Sequence, residues 1–260
     1  MIDFSIDAGV GEIVLNAPYK LNSLNEADLI ELSAAYDEAA LAVDSGAVRA
    51  LLLHGEGRAF CAGRDIAEVD GSTDDPTAYL QELLTPLLKK ISEFPAPTFA
   101  AAQGACLGVG LGLLIATDVV YVSENAKFGS PFANLGAALD SGATWLFTER
   151  LGAHRTMDLI YTAELMSGAQ AVAAGMFSRA KPAEELLGFT REAALKAAIG
   201  PTLAFNASKE VLARIQKDSL GLWDAVELEN QAQVKLSKTR DYAEGFAAFA
   251  AKRKPEFTGQ

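Results

Sequence analysis

The sequence predicts an α/β core followed by an all-helical C-terminal region. Through the first two-thirds, apolar runs of strand length alternate with amphipathic helical stretches, and from about Gly142 onward strand signals nearly vanish. Composition sets the scale: 260 residues, 50% hydrophobic and 22% charged, are those of an ordinary globular chain. Such a chain can reduce roughly 40,000 Å² of surface to about 11,000 Å² on folding, so one large core forms without metal or disulfide staples.

The first extended run is Gly11 to Asn16, and a helix follows, announced by Asn25 as cap with Asp28 three residues on. Leu29, Leu32, Tyr36, Ala39 and Val43 give that helix one apolar face. Val48 to His54 (VRALLLH) is a near-continuous apolar run, as expected of a strand covered on both faces. An acidic loop, Asp70 to Asp75, leads to Asp75-Pro76, a cap and first-turn proline. The next helix packs through Leu80, Leu83, Leu84, Leu87, Leu88 and Ile91, and Pro86 should kink or divide it.

Phe94 to Thr117 carries no charge and is long enough to span a bilayer, but four glycines, two prolines and Gln103 interrupt it. It parses instead as a buried strand (Thr98 to Ala101), a glycine turn and a buried helix (Gly108 to Ala116). Asp118 to Ser123 is another buried strand, and the last helix, Asp241 to Arg253, carries Tyr242, Phe246 and Phe249 on one face. The α/β core is expected over residues 1–195 and the helical region over 196–260, with no flexible linker between them.

A net charge of −12 opposes nucleic acid and anionic membrane as partners. A small anion would need a local basic cluster, such as Lys252, Arg253 and Lys254, which equally suit a solvated helix end. Cys61 and Cys106 are the only cysteines and have no metal-binding spacing, so neither a disulfide framework nor a zinc site is expected, and a reducing cytoplasm fits. The N-terminal segment has neither the pattern of a secretory signal nor that of a transit peptide. His54 and His154 are the only histidines, no GxSxG elbow accompanies them, and structural roles are expected of both.

The glycine-rich segment Gly104 to Gly112 matches neither dinucleotide nor P-loop spacing. It does permit a tight turn ahead of a helix with free N–H groups, or simply close packing. A second glycine turn, Arg58 to Ile66, follows the strand VRALLLH, with Asp65 placed as a cap. Two such turns can direct two main-chain donors at one carbonyl oxygen, the outline of an oxyanion hole. Asp140 follows the apolar Ala137, Ala138 and Leu139 and precedes Ser141-Gly142. It reads either as the cap of the next helix or as a carboxylate whose burial raises its pKa toward that of a base.

Taken in order, NAPYKLNSLN (16–25), GRAFCAGRDI (57–66), QGACLGVGLGL (103–113), AKFGSPFANLGAALDSGATW (126–145) and the tail FAAFAAKRKPEF resemble the enoyl-CoA hydratase/isomerase, or crotonase, family. The resemblance spans nearly the whole chain. It implies a crotonase-like spiral of ββα units, a C-terminal helical trimerisation region, homotrimers or hexamers, and acyl-CoA thioester substrates with no further cofactor. By position, the amides of Arg64 and Val109 would hold the thioester oxygen. Lys20, Leu21, Ala62, Gly63, Asp65 and Ile66 would cradle the CoA, with Gly108 at the turn and Phe249 and Lys252 supplied by the tail of the same or a neighbouring subunit, while Phe132 and Trp145 would either line the acyl pocket or fill the core.

Hydratases of the family carry two glutamates at the positions of Gly112 and Phe132, so efficient hydration is not expected. An aspartate at the place of Asp140 serves some of the family's isomerases. The resemblance therefore implies isomerisation through a thioester enolate with Asp140 as base, and LGAALDSGATW (135–145) is similar to the branch that isomerises ring-epoxide thioesters in phenylacetate breakdown. An inefficient hydratase and a non-catalytic acyl-CoA-binding homologue are the alternatives.

Overall fold

The computed structural model describes residues 1–67 and 69–260. β1 (Ile2–Asp7) and β2 (Val10–Leu15) form an antiparallel hairpin. β1 has no counterpart among the expected strands. As an edge strand it is largely exposed, and its acidic residues break up the apolar signal. α1 (Glu26–Asp44) starts at the expected capping box: Asn25 Oδ1 accepts from the Asp28 N–H at 2.9 Å, and the Asp28 carboxylate accepts from the Asn25 N–H at 3.0 Å.

β3 (Ala50–Gly55) is buried along its whole length. Leu51 and Leu53 face the cluster containing Leu29, Leu32 and Tyr36, while Ala50 and Leu52 face Leu186, Ala194 and Ala198 on the other side. This two-sided burial is why the strand reads as a continuous apolar run.

The helix beyond the acidic loop is divided, as Pro86 predicts. Ala78–Leu84 is wound as a π-helix and α2 (Thr85–Ser92) continues from it. Pro86 has no N–H to offer the preceding turn. The Leu80 carbonyl instead accepts both the N–H of Thr85, five residues on, and its hydroxyl at 2.8 Å.

β4 (Thr98–Ala102), β5 (Ala105–Leu107), α3 (Val109–Ile115), β6 (Val119–Ser123) and β7 (Lys127–Gly129) follow. Next come α4 (Ala143–Thr162), β8 (Met166–Ser167), α5 (Gly168–Ala173), β9 (Arg179–Lys181) and α6 (Ala183–Ala198). The last helices are α7 (Thr202–Asp218), α8 (Leu222–Leu236) and α9 (Arg240–Ala250). β8 and β9 correct the expectation of helices alone after Gly142. At two and three residues they are too short to carry a periodic signal.

The strands divide between a six-stranded sheet, β1-β2-β3-β4-β6-β9, and a three-stranded sheet, β5-β7-β8. Successive strands therefore leave one sheet for the other: β4 and β6 join the large sheet, β5 and β7 the small one. From β2 to β9 the large sheet is parallel. α6 covers one of its faces and runs through residue 195, where the core was expected to end. No described helix is long and apolar enough to cross a membrane.

His54 is buried on β3, with Nε2 2.6 Å from Glu12 Oε1 on β2, and Arg191 of α6 pairs with the same carboxylate. This is the structural role expected of His54. The His54 hydrogen bond, reinforced by Arg191, holds the Glu12 carboxyl at about 2, below the ordinary 4.5. A depressed carboxylate favours the folded state above its ordinary pKa and loses that contribution as pH falls through the folded value. Glu12→Gln should therefore lower stability at pH 7 by about 1–2 kcal/mol. It should also flatten the loss of stability between pH 4.5 and 2, measured by urea unfolding across that range.

Candidate active site

The first turn is built by zipping two loops together. Beyond β3, the Cys61 N–H donates to Ala105 O and the Leu107 N–H to Cys61 O, both at 3.0 Å, so the segment runs parallel to β5. On its other side the Ala62 N–H donates to Leu21 O at 3.0 Å, the Leu24 N–H to Gly63 O at 2.9 Å and the Asp65 N–H to Leu24 O at 2.9 Å. Extended backbone alternates its polar groups from one residue to the next. With the Gly63 carbonyl and the Asp65 N–H both turned toward Leu24, the Arg64 N–H faces the opposite way.

The second turn meets it there. Gly108 has φ 50° and ψ −115°, a conformation closed to L side chains, and α3 begins at the next residue, Val109. A Cβ on Gly63 would stand 3.1 Å from Leu107 O and 4.0 Å from Val109 N, so the two turns lie against each other. Neither the Arg64 nor the Val109 N–H has an acceptor among the described residues. A Cβ on Gly108 would lie 3.1 Å from the Phe132 ring, which places that ring beside the second turn.

Through Ser141, the loop that carries Asp140 packs against α3 at Gly112, three residues beyond Val109. A Cβ on Gly112 would lie 2.6 Å from Ser141 Cβ, so the Asp140–Ser141 turn fills the space above position 112. The Asp140 side chain caps nothing: α4 begins after Gly142 with no side-chain cap, and only the Asp140 main-chain oxygen meets the helix, accepting from the Ala143 N–H at 3.0 Å. The carboxylate accepts from Ser141 Oγ at 2.6 Å. Burial raises the Asp140 pKa from 3.8, against opposing pulls from the Ser141 hydroxyl and the Arg64 charge.

Around the first turn, Lys20 Nζ reaches Asp28 at 2.8 Å and Asp65 at 3.1 Å, tying the 20–24 segment to the glycine turn. The Arg64 guanidinium forks onto Asp74 at 2.8 and 2.9 Å and lies 4.7 Å over the centre of the Tyr79 ring. Arg64, Asp65, Asn25, Val69 and Tyr79 line a cavity of about 330 Å³. Tyr79 was absent from the residues singled out by sequence. It lies off the apolar face that α-helical spacing predicts, and the extra residue in the π turn is what carries it inward, to 1% exposure.

Lys20, Leu21, Ala62, Gly63, Arg64, Asp65 and Ile66 thus come together on one pair of zipped segments, with Gly108, Val109 and Phe132 at the adjoining turn. Three expected residues stand elsewhere in this chain. Trp145 was expected in the acyl pocket or the core and occupies neither. α4 turns it away as Leu146 and Phe147 pack inward, and it lines a separate cavity with Ile115, Arg150 and Lys209. Phe249 lines an apolar groove with Leu203, Leu236 and Phe257, and Lys252 is exposed just beyond α9. α9 turns its buried Ala248 and Asp241 inward, and the tail beyond it is tied near the start of β3, the end away from the first glycine turn, where Arg49 donates to Phe257 O at 2.8 Å.

Cys61 and Cys106 are buried free thiols, and burial pushes Cys61 up to about 12, so it is no thiolate nucleophile. His154 is exposed on α4. No cluster of three or more metal-ligating side chains exists among the described residues.

Residues 5–260 match the family described as Enoyl-CoA hydratase/isomerase. The chain belongs to the enoyl-CoA hydratase/isomerase family. It is 34% identical over 259 residues to a Rhodobacter capsulatus protein named "Probable enoyl-CoA hydratase", covering 100% of this chain and 98% of that one. It is 32% identical over 260 residues to the Escherichia coli 1,2-epoxyphenylacetyl-CoA isomerase, covering 98% and 97%. The crystal structure of an enoyl-CoA hydratase from Bacillus anthracis superposes with a TM-score of 0.89 at 27% identity, covering 100% and 99%. The two-sheet spiral is the crotonase fold, as the sequence led us to expect.

Within this family member, the absence of a side chain at position 112 is a packing requirement. Gly112→Ala should displace the Asp140–Ser141 turn and cost about 1–3 kcal/mol, the usual range for overpacking. Denaturant melts and a crystal structure of the variant would measure both.

Proposed function

We propose that this chain isomerises an acyl-CoA thioester through an enolate. The Arg64 and Val109 amides receive the thioester oxygen, and Asp140 is the base. The observation that carries the reading is the Asp140 carboxylate. It is free of any capping duty, is half-buried, and is bonded to Ser141, which packs against position 112 of the α3 helix that begins at Val109, while positions 112 and 132 hold no carboxylate. Asp140 removes a proton from the carbon next to the carbonyl, the electron pair moves onto the oxygen between the two amides, and the same carboxyl returns the proton further along the conjugated system. One group thus acts as base and then as acid, and no resident cofactor enters the step. Each hole donor contributes about 3–4 kcal/mol to the enolate-like transition state.

The segments 20–24 and 62–66 hold the CoA in this reading, with Phe132 walling the acyl group. Its flat ring suits an aromatic or ring-epoxide acyl group, in line with the name of the Escherichia coli relative. Exposed apolar side chains on α7 to α9, among them Leu212, Trp223 and Phe246, suit assembly into a homotrimer or a hexamer, through which Phe249 and Lys252 would serve a neighbouring subunit's CoA. Two buried free thiols suit the cytoplasm. Hydration is the second reading, favoured by relatives named as hydratases.

Asp140→Asn should lower turnover of a 3-enoyl-CoA or ring-epoxide thioester by about 10²–10⁴-fold. It should abolish exchange of the α proton into deuterated water, followed by NMR. Near-normal turnover would remove Asp140 as base, and tight acyl-CoA binding by the wild type with no exchange would indicate a binding protein. Faster conversion of crotonyl-CoA than of the 3-enoyl-CoA would favour the hydratase. Because the base must be ionised, kcat/KM should fall as pH drops through the raised Asp140 pKa. Ser141→Ala removes the hydrogen bond that opposes this rise, and the acid limb of the profile should move to higher pH.

A further inference from the structure

The residue-64 amide is held from one side only. The ladder to Leu21 and Leu24 occupies residues 62, 63 and 65, and the Arg64 N–H faces a space with no acceptor among the described residues. A short extended segment bonded along one edge can rock about that edge, and a hydrogen bond aimed across the open side weakens steeply as its angle changes.

Tyr79 contacts both this segment and its partner Leu24. Its hydroxyl donates to Leu24 O at 2.8 Å, the same oxygen that accepts from the Asp65 N–H at 2.9 Å. Its ring face carries the Arg64 guanidinium at 4.7 Å, which Asp74 grips from the far side with two hydrogen bonds. The main chain of residue 64 is thus fastened through its partner Leu24 and through its own side chain, and both fastenings converge on one tyrosine. Burial holds the phenol pKa well above 10, so the hydroxyl stays a donor throughout the working pH range.

We propose that Tyr79 is a positioning residue that sets the aim of the Arg64 amide, with the Arg64–Asp74 fork as its outer brace and the π turn of residues 78–84 as the device that delivers it. The proposal rests on the reading of the Arg64 amide as an oxyanion donor. It adds a role for the Arg64 side chain apart from the main-chain donor: a brace for the backbone that bears it.

The test separates aim from mere stability. Butyryl-CoA labelled with ¹³C at the thioester carbonyl has no double bond to isomerise, and its infrared band moves to lower frequency in proportion to the hydrogen bonding it receives. Tyr79→Phe keeps the ring and removes only the hydroxyl. We expect it to retain at most half of the wild-type band shift and to lose about tenfold in kcat with KM within threefold, a fraction of the 10²–10³ that deleting a hole donor costs. Asp74→Asn, at an exposed position, should act in the same direction without touching the core, and decides the matter if Tyr79→Phe does not fold. Asp140→Asn should keep the full shift. A native band position and kcat within twofold of wild type in the folded Tyr79→Phe, or in Asp74→Asn where it stands in, would overturn the proposal while leaving the hole intact. Bound butyryl-CoA without any band shift in the wild-type protein would instead overturn the hole itself.

Discussion

The pairing of Leu24 with residues 63 and 65 is the constraint on which the candidate site depends. It uses the polar groups on either side of Arg64 and so leaves one main-chain donor turned away, toward the turn at Gly108. Everything else brings a partner to that donor. β5 pairs with Cys61 and fixes the distance between the two turns, Gly108 supplies a backbone conformation that starts α3 at Val109, and Lys20 locks the loop that contains Leu24. Main-chain donors held in this way need no reorganisation when charge develops in front of them, which is the property an oxyanion site requires.

Around these donors the side chains perform separate tasks. Asp140 gains basicity from burial and is kept from excess by Ser141 and Arg64. Gly112 is empty because the Asp140–Ser141 turn occupies the space a side chain would fill, and the Phe132 ring lies against Gly108. The absence of carboxylates at these two positions and the placement of Asp140 are parts of one packing arrangement, since a larger residue at 112 would push out the turn that carries the aspartate. The acidic balance of the whole chain is a separate matter. The fold uses several of its carboxylates locally, as in Glu12 with His54 and Arg191, Asp74 with Arg64, and Asp28 and Asp65 with Lys20.

Much of this was legible before folding. The capping box at Asn25, the two-sided strand at 50–55 and the break at Pro86 are local signals, each decided by residues within a few positions of one another. The order of glycine turns was enough to outline two converging donors. The short strands β8 and β9 were not legible, because their pairing is set by distant partners. Whether the Asp140 side chain caps α4 was also undecidable along the chain, since a capping residue and a buried base share the same neighbours in sequence.

By itself the sequence determined the alternation of strands and helices, the family, and the residue types that stand at each turn, because these follow from periodicity, capping and glycine placement over short spans. Only the tertiary structure decided which way each group points. It turned the Arg64 amide outward and carried Tyr79 beneath its guanidinium by one extra residue of π-helical winding. It also sent Trp145 to another cavity. Direction depends on contacts between segments tens of residues apart, and a hydrogen bond or a ring face acts only along the line that those contacts impose.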